Sequence, residues 1–142
     1  MAGHSHREPI VVTHEGGLRF AAQVRSHRVM VDQPHGAGGM DSAPMPIEML
    51  GVSLGTCIAL YVQQFCQTRG LSCDGMRVEV DQIGARNPNR VGQFAVHVVL
   101  AQPLPPAYAE MLERVVRSCP AHGTLEHGAD VIVHIDAPVL VS

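Results

Sequence analysis

The stretch from Ile47 to Thr68, IEMLGVSLGTCIALYVQQFCQT, is apolar on nearly every side until Gln63. Pro44 and Pro46 precede it and Arg69-Gly70 follows it, which suits a helix that opens on proline and closes on glycine. The pattern predicts one long helix starting near Pro46. A helix without a polar face belongs in the interior of a structure, so the rest of the chain is expected to be built around it. Gly51, Gly55 and Ala59 recur every four residues and give that helix a stripe of small side chains. Glycine inside a helix costs about 1 kcal/mol relative to alanine. The stripe therefore predicts close approach of another helix or backbone, such as the same helix of a second copy.

The flanking segments read as strands. Ile10 to Thr13, Leu18 to Val24 and Arg28 to Asp32 are separated by Gly16-Gly17 and Ser26-His27, which predicts a three-stranded meander. Gln33 to Ala43 is a loop rich in glycine and polar turn formers. Arg77 to Ile83 and Gln93 to Gln102 alternate apolar with polar across a loop containing Asn87-Pro88-Asn89, the pattern of a β-hairpin. A second helix is predicted after Pro105-Pro106, because Tyr108, Met111, Leu112, Val115, Val116 and Cys119 fall on one apolar stripe. A turn-rich stretch and a last strand, Asp130 to Ile135, are expected to finish the chain. The result is a single α+β domain over residues 1–142, with antiparallel sheets around a central buried helix and a flexible N-terminus over residues 1–9.

With 142 residues, 4% aromatic content and no Trp, the core must be filled by Met, Val, Leu and Ile. A chain this small, with several extended stretches, does not bury all its apolar surface alone, and a homodimer is expected. All ten basic residues are Arg and the formal net charge is -3, which argues against nucleic acid or an anionic membrane surface as partner. We expect no membrane association, since no uninterrupted apolar run approaches the roughly 20 residues of a span and MAGHSHREP lacks the apolar region of a secretory signal. That places the protein in the cytoplasm, where thiols are kept reduced and a disulfide is expected to be transient chemistry. The nine His lack zinc-ligand spacing and no dinucleotide or phosphate-loop fingerprint is present, so no metal and no cofactor is expected.

Four Cys remain, at positions 57, 66, 73 and 119. An isolated cysteine in an apolar helix is ordinarily a small buried hydrophobe. Cys57 and Cys119 both face inward on their helical periodicities, and they would meet if the second helix lay across the first. The motif PIEMLGVSLGTC, followed about 60 residues later by a helix ending in RSCPAHGTL and preceded by RVMVDQP and a Gly-rich loop, resembles the superfamily of osmotically inducible protein C and the organic hydroperoxide resistance protein. The resemblance runs from about Ile10 to Ile135. It implies an intertwined homodimer with long central helices between sheets and an active site at the dimer interface.

By that resemblance Cys57 is the peroxidatic thiol and Cys119 the resolving thiol of a peroxidase acting on organic hydroperoxides, reset by a dithiol reductant such as a lipoylated protein. A thiolate that attacks an O–O bond becomes a sulfenic acid, which a second thiol condenses to a disulfide. An apolar surround disfavours a thiolate, so a cation is needed nearby. The resemblance assigns that role to Arg19, with Arg25 and Arg28 as other candidates, and a Glu to orient it, matched here by Glu48. Arg is ordinarily a solvated strand residue, and a carboxylate in the first turn of a helix is favoured by the helix dipole. Glu48 stands nine residues before Cys57, on the opposite face and about 13 Å along the axis, so it cannot serve Cys57 directly within one chain. Cys66 and Cys73 match nothing in the motif and are read as ordinary thiols, and His122 as a structural hydrogen-bonding residue. A reading from another class is a relative that binds a small apolar molecule, or senses redox state, at the dimer interface.

Overall fold

The computed structural model describes residues 7–140. The N-terminal expectation therefore falls partly outside the described residues, and residues 7–10 are exposed and without regular structure. The chain gathers into two compact units, one holding the chain up to Gly55 together with Glu79–His97, the other Thr56–Val78 together with the chain from Val98 onward.

In the first unit, β1 (Val11–Gly16), β2 (Arg19–Val24) and β3 (His27–Val31) form an antiparallel sheet in sequence order. Thr13 faces Ala21, and Ala21 faces Met30. Gly16 and Gly17 take φ of +111° and +54° in the first turn, where only glycine turns the chain without strain. The meander is thus as the alternation predicts. Asp32 then anchors the loop that leads to the long helix. It is fully buried, its Oδ1 accepts Gln33 N at 2.7 Å, and its Oδ2 accepts Ser42 Oγ at 2.6 Å and Ser42 N at 3.1 Å. The Ser42 hydroxyl above all, with the N–H groups of Gln33, Ser42 and Met40, holds this carboxyl down at about 2 against the opposing effect of burial.

The long helix α1 spans Glu48–Thr68, and β4 (Arg77–Ala85) pairs with β5 (Arg90–Val99) as the expected hairpin. Gly51 is where β4 meets α1. A Cβ on Gly51 would collide with the Gln82 side chain, whose Nε2 donates to Ile47 O at 3.1 Å. The first glycine of the small-residue stripe is therefore occupied by the protein's own strand, which is a correction to its reading as a helix-to-helix contact.

In the second unit, α1 buries Ile58, Val62, Phe65 and Cys66. The expectation of a helix enclosed on all sides is met on one face only: Val52 and Leu60 are 46% and 53% exposed. α1 is long and apolar enough to cross a membrane, contrary to the sequence reading that no run reaches that length. Burial of Leu54, Ile58, Val62 and Phe65 within the protein accounts for its composition as a core helix. α2 (Pro106–Arg117) carries the predicted apolar stripe, with Leu112 buried and Tyr108 edge-on to Phe65 at 6.0 Å.

Three further expectations are corrected. Residues 120–127 are not a turn-rich stretch but a helix, α3 (Pro120–His127). Asp130 to Ile135 is not a strand; residues 128–140 have no regular structure, and Val131, Ile132, Val133 and Ile135 are 73–93% exposed. A strand needs a neighbouring edge for its hydrogen bonds, and this segment pairs with none among the described residues. Cys66 and Cys73 are not ordinary thiols but are joined in a disulfide, with Cα atoms 6.2 Å apart. The turn after α1, in which Leu71 N donates to Cys66 O, folds the chain back and brings Cys73 beneath the helix end.

Candidate active site

α1 carries Cys57 half-buried on its length, and the corner between α2 and α3 carries Cys119, which is fully buried. Both are free thiols, and they lie near enough for Cys57 to act on the Cys119 thiol. Two cysteines 62 positions apart in sequence are thus brought together by the packing of the second unit.

The corner itself explains how the Cys119 sulfur is held. α2 ends at Ser118, whose N–H reaches Arg114 O and Val115 O. Cys119 then adopts an extended backbone, φ -65° and ψ 139°, and serves as the N-cap of α3 with Pro120 at the first helical position. Its Sγ accepts the backbone N–H of His122 at 3.3 Å. The sequence reading saw Cys119 only as the last member of the α2 stripe. The signal for its second role was Pro120 directly after it, a common first residue of a helix. Burial pushes the Cys119 thiol up, the His122 N–H pulls it down, and Cys57 pushes it up again through its hydrogen bond and its charge. The net direction is upward. The His122 Nε2 lies 3.3 Å from Glu126 on the next turn of α3, while the His122 backbone N–H donates to the Cys119 sulfur.

The other residues singled out by sequence belong to the first unit. Arg19 is exposed at the first position of β2, opposite Gly16. Arg25 occupies the tight turn between β2 and β3 with φ +53°. Arg28 is paired with Glu15 at 2.9 Å. Glu48 heads α1, and its Oε1 accepts Met45 N at 2.8 Å, the glutamate half of a capping box. Among the described residues, no group of three or more His, Cys, Asp or Glu is arranged to hold a metal ion.

The family described as OsmC-like protein matches residues 39–134, which contain both free thiols. A search of curated proteins finds no match. Among solved structures, an osmotic stress induced and detoxification response protein from Psychrobacter arcticus is similar at 21% identity and TM-score 0.76, over 84% of this chain and 89% of that one. An organic hydroperoxide resistance protein OsmC from Legionella pneumophila is similar at 16% identity and TM-score 0.59, over 89% and 95% of the two chains. An organic hydroperoxide resistance protein from Vibrio cholerae, with captopril bound in one of its active sites, is similar at 18% identity and TM-score 0.57, over 87% and 88%. These likenesses show a shared α+β fold, and the match across two thirds of the sequence shows that the chain belongs to the OsmC-like protein family.

Proposed function

We propose that this protein is a thiol peroxidase that reduces organic hydroperoxides to alcohols, with Cys57 attacking and Cys119 resolving. The observation that carries the reading is that two free thiols far apart in sequence, one half-buried and the other fully buried, are brought near each other within one unit of the fold. Cys57, the more accessible, attacks the outer oxygen of the hydroperoxide; the O–O bond breaks, the alcohol leaves with a proton, and Cys57 becomes a sulfenic acid. Cys119 then displaces hydroxide from the Cys57 sulfur to form a disulfide, and water leaves. A dithiol such as a lipoylated protein returns the pair to thiols. Family resemblance assigns Arg19 to support the Cys57 thiolate and Glu48 to orient Arg19. Leu50, Leu54, Leu60 and Tyr61 share the Cys57 side of α1, and an apolar wall rewards an alkyl group by about 0.8 kcal/mol for each CH₂ buried. Organic hydroperoxides are therefore the preferred substrates over hydrogen peroxide.

The proposal extends to a cytoplasmic homodimer. The exposed apolar side chains of α1 and of residues 131–140 are supporting features, because large apolar side chains left open to water in such number mark surfaces that a partner covers. The test is to supply the reduced protein with an alkyl hydroperoxide, follow peroxide loss, and count free thiols. Stoichiometric consumption with loss of two thiols per chain supports the reading. No consumption, with both thiols retained, overturns it in favour of a family member that binds an apolar molecule without turning it over.

A further inference from the structure

The C-terminal end of α1 and one face of α2 border a groove that the two thiols do not use. Met111, Arg114, Val115 and Ser118 stand at i, i+3, i+4 and i+7 along α2 and its C-cap, and they line the groove together with Arg69, which directly follows α1. All five belong to the second unit. Arg69 is held in place: its guanidinium carbon lies 3.8 Å from the centre of the Phe65 ring and 5.7 Å from that of Tyr108, and its Nη1 donates to Phe65 O at 3.4 Å. It also sits inside the loop that the Cys66–Cys73 bond closes. Most of its five N–H donors are left uncommitted. Arg114 is exposed, and neither arginine is ion-paired among the described residues, whereas Arg117 on the same helix pairs with Glu113 at 3.1 Å.

We propose that this groove binds a small carboxylate carried on a short apolar stem. Two guanidiniums beside one space, with no carboxylate among the residues that line it, call for an anion. The half-buried side chains of Met111 and Val115 supply an apolar wall, which inorganic phosphate leaves bare and an alkyl stem covers. Ser118 adds no donor, because its hydroxyl already donates to Val115 O at 2.6 Å. At about 230 Å³, and with about 30 Å³ for each non-hydrogen atom, the groove takes about eight such atoms, the size of hexanoate. Stacking on Phe65 fixes the Arg69 fork before the ligand arrives, so less side-chain freedom is lost on binding. The inference does not depend on the peroxidase reading.

The test is a titration of the full chain followed by heteronuclear NMR at the backbone amides of Met111, Val115 and Ser118. The probes are sodium acetate, butanoate and hexanoate, hexanol and inorganic phosphate, at constant ionic strength. Hexanoate should shift these amides saturably, and affinity should rise from acetate to hexanoate by up to about fourfold for each CH₂. Hexanol, which lacks the charge, and phosphate, which lacks the stem, should each bind at least about tenfold more weakly than hexanoate. Arg114→Gln and Arg69→Gln should each weaken hexanoate by about tenfold or more, while Arg117→Gln, which removes a charge already paired with Glu113, should leave it unchanged. Equal affinity for hexanoate and hexanol, or for hexanoate and phosphate, overturns the proposal, as does equal affinity for acetate and hexanoate. Absence of any saturable shift with hexanoate overturns it too. Arg114 is exposed and its replacement leaves the fold intact, so native hexanoate affinity in Arg114→Gln is decisive against the site even if Arg69→Gln fails to fold.

Discussion

Asp32 is a residue whose charge is built into the fold, since its buried carboxylate organises the Gly-rich loop through Ser42 and neighbouring N–H groups. Its carboxyl titrates at about 2 in the folded protein and near 4 in an unfolded chain. The stabilisation from this depressed pKa is complete above about pH 4 and is lost as pH falls from about 4 toward about 2. Asp32→Asn should therefore flatten the acid limb of a stability profile measured by thermal unfolding between those limits, while lowering stability at neutral pH. At the cysteines, Cys57→Ser should abolish hydroperoxide turnover, whereas Cys119→Ser should allow a single oxidation and leave Cys57 as a sulfenic acid trappable by dimedone. Equal residual turnover in the two variants would remove the division of roles. Arg19→Ala should slow alkylation of Cys57 at neutral pH, with Arg19→Lys restoring it only in part, because an ammonium lacks the planar fork of a guanidinium. The roles proposed for Cys57 and Cys119 come from the sequence, where two inward-facing thiols stand at family motif positions. The capping role of Cys119 was missed because a helical stripe and an N-cap can end on the same residue.

Elements were predicted well wherever the pattern within a segment decided them. β1 to β3, α1, the β4–β5 hairpin and α2 all lie close to their expected bounds, since hydrophobic period, proline and glycine act within a few residues. α3 was missed because its apolar content is slight, and what starts it is a cysteine cap followed by proline. Gly51 and Gly55 looked equivalent along α1, yet only packing shows that Gly51 accommodates Gln82. Gly51→Leu should cost about 1–3 kcal/mol of chain stability through overpacking against β4. Gly55→Leu should instead weaken self-association, and comparing denaturant midpoints with sedimentation of each variant separates the effects. The disulfide at the end of α1 closes a loop of separation 7 and should be worth about 2 kcal/mol by loop entropy. A Cys66→Ser, Cys73→Ser protein should unfold at correspondingly lower denaturant, while retaining the free thiols of Cys57 and Cys119.

At the scale of the molecule, a homodimer is expected at micromolar concentration by analytical ultracentrifugation, with amides of residues 131–140 protected from hydrogen exchange in it. A monomer, or a freely exchanging segment, would remove the proposal that a second copy covers the apolar surface. The alternation in VIVHI was read as a strand because apolar and polar residues alternate there, but alternation specifies a face, and only an available edge makes it a strand. By itself the sequence determined the α+β class and the order of the meander, long helix, hairpin and second helix, and it singled out the two thiols proposed to react, because those follow from local periodicity and from motifs read in order along the chain. Tertiary structure alone decided that Cys57 and Cys119 come near each other, that the Cys119 sulfur caps α3, that Cys66 bonds Cys73 and that Gln82 fills the space at Gly51. Each of these depends on where the chain returns in three dimensions, and side-chain contact between segments leaves no periodic trace in the sequence of either one.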